Sequence, residues 1–150
     1  MRVKDAVIYD ISAVFEDETV ETVIKLLSRQ NLSGVPVVDH DMRVVGFVSE
    51  SDLIKALVPS YFSLLRSASF IPDTNQLIRN VVKIKDRPVS DFMNKPPVVV
   101  KEDDPLIVAA DYLIRHGFKS LPVVDEAMQL VGIVRRIDIL RVVSEGKLEI

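Results

Sequence analysis

The 150-residue chain contains no cysteine, which removes disulfides, thiolate metal sites and thiol nucleophiles together. It has only five glycines, and none of them forms a glycine-rich phosphate loop, a dinucleotide-binding turn or a Gly-x-Ser-x-Gly elbow. Its two histidines, His40 and His116, fall in a predicted turn and at a predicted helix end. Neither has a carboxylate or second histidine at metal-ligand spacing, so no metal site is expected. No apolar run approaches the ~20 residues that a membrane-spanning helix needs. The opening Met1-Arg2-Val3-Lys4-Asp5 has no apolar core of a secretion signal, and the expectation is a soluble, cytoplasmic chain. Strong charge of one sign is missing too. Nineteen basic and 22 acidic residues leave a net charge of −3, with no global pull towards nucleic acid or an anionic membrane. Catalysis lacks a candidate constellation.

What is present is a globular composition, 48% hydrophobic and 27% charged, able to bury a core. Its dominant feature is repetition. Gly34-Val35-Pro36-Val37-Val38-Asp39 returns as Ser120-Leu121-Pro122-Val123-Val124-Asp125, and Val45-Gly46-Phe47-Val48 returns as Val131-Gly132-Ile133-Val134, both at a spacing of 86 residues. The same spacing relates Val3 to Val89, Asp5 to Asp91, Val14 to Val100, Leu27 to Leu113, Met42 to Met128 and Asp52 to Asp138. The chain is a duplication.

Each copy predicts the order β-α-β-β-α. Short strands are expected at Ser12–Phe15 and Val98–Lys101. Acidic helix starts follow at Glu16-Asp17-Glu18-Thr19 and Glu102-Asp103-Asp104-Pro105, with Pro105 suited to a first helical position. Helical apolar spacing then runs through Val20, Val23, Ile24 and Leu27, and through Leu106, Ala109, Ala110 and Leu113. Asn31 and Gly117 are placed to stop these helices. Hairpins are expected at Val35–Val38 with Val44–Val48, and at Leu121–Val124 with Val131–Val134. Second helices open at Ser49–Asp52 and Arg135–Asp138. One unit of roughly 50 residues buries too little to stand alone. The expected fold is therefore α/β (α+β): two pseudo-symmetric β-α-β-β-α repeats, residues 1–57 and 89–150, packed sheet to sheet around symmetric clefts. Residues 58–88 form an insertion with the aromatic group Tyr61, Phe62 and Phe70 and a helical pattern from Asp73 to Ile84. An unstructured loop of that length is improbable in a compact domain.

The proline-led strand ending in Asp, the short turn, and then Gly46-Phe47-Val48-Ser49-Glu50-Ser51-Asp52 resemble the cystathionine-β-synthase (CBS) motif, found twice here at one spacing. The resemblance implies a regulatory module that binds an adenosine derivative (AMP, ADP, ATP or S-adenosylmethionine) in one or both clefts and commonly dimerises. No cofactor is required. The residue chemistry is compatible: aliphatic side chains around Val14, Val35, Val100 and Leu121, beside Pro36 and Pro122, can sandwich adenine, and the carboxylate of Asp52 or Asp138 can accept from both hydroxyls of a ribose. A helix start attracts phosphate. By similarity, the residue three positions before the strand proline reaches the phosphates; it is Lys119 in the second copy but Ser33 in the first, so the clefts differ. A first cleft takes Asp52 and Ser49, with Lys119 from the other repeat. A second takes Asp138, and there Arg135 stands where Ser or Thr is expected. Arg135 and Arg136 either make a polyphosphate site or fill the cleft.

Plainer roles exist for the same residues. Ser49-x-x-Asp52 is close to a capping box, Lys119 is by base rate a solvated lysine, and the aromatic group of the insertion suits packing. The leading expectation is an adenine-nucleotide (energy-sensing) module acting on a protein partner in trans, as a homodimer. The alternative is a ligand-free dimerisation domain. Nucleic-acid binding through Lys83, Lys85 and Arg87 runs against the acidic total, and an enzyme is the least favoured reading.

Overall fold

The computed structural model describes residues 1–58 and 75–147. Tyr61, Phe62, Phe70 and the start of the expected insertion helix lie outside them. The first repeat runs β1 (Val14–Phe15), α1 (Val20–Gln30), β2 (Gly34–Val38), β3 (Val44–Ser49), α2 (Glu50–Leu57), and α3 (Gln76–Ile84) follows. The second runs β4 (Val100–Lys101), α4 (Leu106–His116), β5 (Ser120–Val124), β6 (Leu130–Arg135), α5 (Arg136–Glu145). Each repeat thus has the expected β-α-β-β-α order and carries its own three-stranded sheet.

Local chemistry accounts for the elements. Thr19 caps α1, its hydroxyl accepting from the Thr22 N–H at 3.2 Å. The helix ends at Asn31, which adopts the left-handed conformation at φ 53°, and α4 ends likewise at Gly117, φ 68°. Pro105 lies one position ahead of expectation, in extended backbone before Leu106. The first strands are shorter than expected because β1 and β4 pair, in parallel, only with the last two residues of β2 and β5. β2 and β5 pair antiparallel with β3 and β6, each hairpin with a bulge at the same place. The motif aspartates build the turns: Asp39 Oδ1 accepts from the N–H groups of Asp41 and Arg43, and Asp125 Oδ1 from those of Ala127 and Gln129.

The repeats do not simply abut; they exchange their leading segments. Residues Val3 and Ala6 belong to the core of the second repeat, with Leu113, Leu121 and Val134. Ile84 and Val89 belong to the core of the first, with Val20, Val35 and Val48. Backbone hydrogen bonds repeat the exchange. The N–H of Val3 donates to the carbonyl of Asp104 and that of Ile8 to Ile133, while the N–H of Val89 donates to Glu18 and that of Asn94 to Phe47. Gly46 and Gly132 make room for it. A Cβ on Gly132 would sit 2.5 Å from the Ile8 carbonyl oxygen, and one on Gly46 2.8 Å from that of Asn94.

A third cluster joins the repeats, with Val38, Val44 and Val124 buried against Phe15, Val99 and Leu130. The hairpin ends clasp across it, Val44 N–H donating to the Met128 carbonyl and Leu130 N–H to that of Met42. The helix α3 lies on the first repeat: Asn80 donates to the carbonyl of Leu57 at 2.7 Å, and Ile84 is buried. Among the described residues no helix is long and apolar enough to cross a membrane.

Candidate functional site

Because the strand-to-helix junctions β3–α2 and β6–α5 carry the motif residues, each opens beside the other repeat. At the first junction a cleft of about 280 Å³ is lined by Phe47, Ser49 and Asp52 from one repeat, by His116 and Lys119 from the other, and by Asn94 of the exchanged segment. Ser49 is the N-cap of α2. Its hydroxyl accepts from the Asp52 N–H at 3.3 Å and donates to Asp52 Oδ2 at 2.9 Å, and its own N–H donates to the same oxygen at 2.8 Å. The capping box foreseen as the plain role of this pair is therefore formed. Asn94 Nδ2 adds a third bond to Oδ2 at 2.8 Å. Among the described residues nothing donates to Oδ1, so half of this partly buried carboxylate can accept hydrogen bonds from a ligand.

Most of the backbone N–H groups at this helix start are already partnered. Of the first N–H groups, Ser49 and Asp52 bond within the cap and Glu50 donates to the Ser33 carbonyl at 2.8 Å. Lys119 lines the cleft from across the repeat boundary, and Lys55 of α2 lines it too. His116 is held by stacking on Phe118 with ring centroids 5.3 Å apart.

The second cleft, about 370 Å³, is lined by Ile8, Leu32, Val35, Pro36, Ile133 and Arg135, among others. Its chemistry differs. Arg135 Nε donates to Asp138 Oδ2 at 2.8 Å and its Nη2 to Oδ1 at 2.9 Å, while the Arg135 N–H reaches Oδ2 at 3.1 Å. The side-chain hydrogen bonding to Asp138 raises the pKa of the guanidinium above its ordinary value, with burial opposing. Asp138 is 2% exposed and does not line the cleft. Arg136 faces neither cleft: its Nε donates to the Phe118 carbonyl at 2.8 Å.

The aliphatic candidates divide. Val35 and Pro36 line the second cleft; Leu121 and Pro122 line a small recess beside the first, shared with Phe47 and Asn94. Val14 and Val100 are buried in the cores of their repeats and line neither cleft. Sequence reasoning missed Asn94. Its counterpart at the 86-residue spacing is Ile8, and that polar-for-apolar difference was the available signal. Of the basic trio, Arg87 pairs with Asp91 at 3.0 Å and lies over the Phe92 ring.

Two β-α-β-β-α repeats that trade leading segments and enclose a pair of unequal clefts at their helix starts define a paired-repeat module. The chain matches the CBS domain family twice, over residues 3–59 and 89–145, and it belongs to that family. It is 34% identical over 141 residues to the uncharacterized protein MJ1426 of Methanocaldococcus jannaschii, covering 85% of this chain and 82% of that one. It is 30% identical over 147 residues to the chloroplastic CBS domain-containing protein CBSX2 of Arabidopsis thaliana, covering 93% of this chain. It spans only about three-fifths (61%) of that relative's length. The crystal structure of CBSX2 superposes with a TM-score of 0.78 at 28% identity, covering 96% of this chain and 94% of that one. A structure of CBSX2 in complex with AMP superposes with a TM-score of 0.73 at 27% identity, covering 96% of each chain.

Proposed function

We propose that this chain is a non-catalytic regulatory module that takes an adenosine ligand in its first cleft and signals its occupancy to a partner protein. The observation that carries this reading is Asp52. Three donors fix its Oδ2, Oδ1 has no donor among the described residues, and Asp52 lines a cleft to which both repeats contribute. A ribose diol matches such a carboxylate, each hydroxyl donating to it. Lys119, from the opposite repeat, is the phosphate ligand. The AMP held by CBSX2 favours AMP as the first ligand to try, ahead of ADP, ATP and S-adenosylmethionine. Ser49 has its hydroxyl committed to the cap, which suits binding and not nucleophilic chemistry. Ligand that touches both repeats shifts the arrangement of the module only by its preference between arrangements.

Thermal unfolding with AMP, ADP, ATP, S-adenosylmethionine and GTP tests this. A ligand at 100 times its Kd adds about 2.7 kcal/mol, a rise of roughly 5–10 °C for a domain of this size. The rise is expected with an adenosine ligand, absent with GTP, and lost in Asp52→Ala. Flat curves for every ligand in the wild type overturn the reading.

The second reading, a dimerisation domain whose clefts hold nothing, is favoured by one observation. Ile107 and Ile114 of α4 are 76% and 80% exposed, and Leu140 of α5 is 64% exposed, an apolar surface of the kind that marks protein contacts. Sedimentation of the apo protein as a dimer, together with flat unfolding curves, would select it.

A further inference from the structure

The two clefts descend from one duplicated motif, yet their carboxylates are in different states. Asp52 leaves Oδ1 without a donor among the described residues. Asp138 has both oxygens taken by the same guanidinium, Oδ1 by Nη2 at 2.9 Å and Oδ2 by Nε at 2.8 Å, with the Arg135 N–H a third donor at 3.1 Å. This is the two-pronged Arg–carboxylate pairing, stronger and more directional than a neutral hydrogen bond. The carboxylate beneath it is 3% exposed and the arginine side chain 49% exposed. Arg135 therefore lies over Asp138 on the side of the cleft it lines. It occupies the position that Ser49, a far smaller side chain, holds in the first cleft.

We infer that Arg135 is the specificity-determining residue of the second cleft: clamped on Asp138, it excludes the ribose of a nucleotide there and makes the module a one-site binder. The inference rests on the reading of Asp52 as the ribose ligand and extends it to what the duplicated carboxylate does. A ribose entering the second cleft must displace the guanidinium before any oxygen of Asp138 can accept from it. Displacement breaks a bidentate ion pair on a buried carboxylate and returns bonds from uncharged hydroxyls only, leaving the charge without its counter-ion, an unfavourable exchange. A neighbouring position points the same way: where Asn94 donates to Asp52, the second cleft has Ile8.

Equilibrium binding of AMP to the full chain by calorimetry tests the inference. The wild type is expected to bind one AMP per chain, and Asp52→Ala alone to weaken all AMP binding at least 100-fold. The double variant Arg135→Ser/Ile8→Asn, which removes the clamp and gives the second cleft the serine and amide of the first, is expected to bind two. The single variant Ile8→Asn, with Arg135 kept, is expected to bind one. Two AMP per wild-type chain, a full-affinity AMP left in Asp52→Ala, or two bound by the single variant each overturn the inference. So does a folded double variant that binds one AMP where the wild type also binds one. The Asp52→Ala arm needs no change at Arg135 and stands even where the double variant fails to fold. Wild type that binds none, with a double variant that binds one, keeps the role of Arg135 and removes the reading of the first cleft.

Discussion

At the scale of single residues, the candidate site depends on how a carboxylate's lone pairs are shared out. Asp52 caps α2 with Oδ2 and leaves Oδ1 without a donor among the described residues, and Asn94 holds Oδ2 from outside the cap. Replacing Asn94 by Ile, as at the equivalent Ile8, leaves the cap intact but removes that hold. The expected result is a loss of AMP affinity of about tenfold, the worth of one hydrogen bond to a charged group, with little change in the melting temperature of the apo protein. Titration calorimetry alongside apo melting measures both, and unchanged affinity would deny Asn94 a positioning role. The motif residues Ser49, Asp52, Asp138 and Arg135 were all legible in the sequence as candidates. Their states were not. That Arg135 folds back on a carboxylate three positions along its own chain is a matter of rotamer and burial, which spacing alone does not settle. The burial of Val14 and Val100 in the repeat cores was not legible for a related reason: an aliphatic residue of a two-residue strand looks the same whether it faces a cleft or a core.

At the scale of elements, the most telling residues are Gly46 and Gly132. Both sit on strands where an exchanged segment crosses at close range, and a side chain at either would meet backbone oxygen at under 3 Å. Gly132→Ala is expected to cost roughly 1–3 kcal/mol, the usual range for overpacking, without altering AMP affinity. Gly46→Ala should cost a similar amount and also weaken AMP binding, because the oxygen it strikes belongs to Asn94. Chemical denaturation and calorimetry on the two variants separate these outcomes; equal effects on AMP binding would contradict the assignment. The order β-α-β-β-α, the helix stops at Asn31 and Gly117 and the hairpin turns could all be read from residue type and period, since each is decided locally. The lengths of β1 and β4 could not, because they are limited by how far β2 and β5 extend beside them.

At the scale of the whole molecule, the duplication was plain in the sequence but the exchange of segments was hidden by it. Val3 and Val89 match at the repeat spacing, and the match says they do the same job without saying on which copy. Each core contains side chains from both halves of the chain, so the molecule should unfold as one unit. Val3→Ala, which removes two buried methyl groups, is expected to destabilise by roughly 2 kcal/mol and to lower a single shared transition. Two separate calorimetric transitions, with only one of them moved, would show that the repeats unfold independently.

The same exchange imposes an order of events on a chain emerging from the ribosome. The segment around Val3 and Ile8 pairs with Asp104 and Ile133, which leave the exit tunnel roughly a hundred residues later. Ile84 and Val89 emerge sooner and complete the core of the first repeat, while the Val3 segment still has nothing to lie on. Contacts this distant along the chain are slow to form. During that interval the growing polypeptide carries an exposed apolar segment, which is when aggregation or a chaperone's grip would act on it.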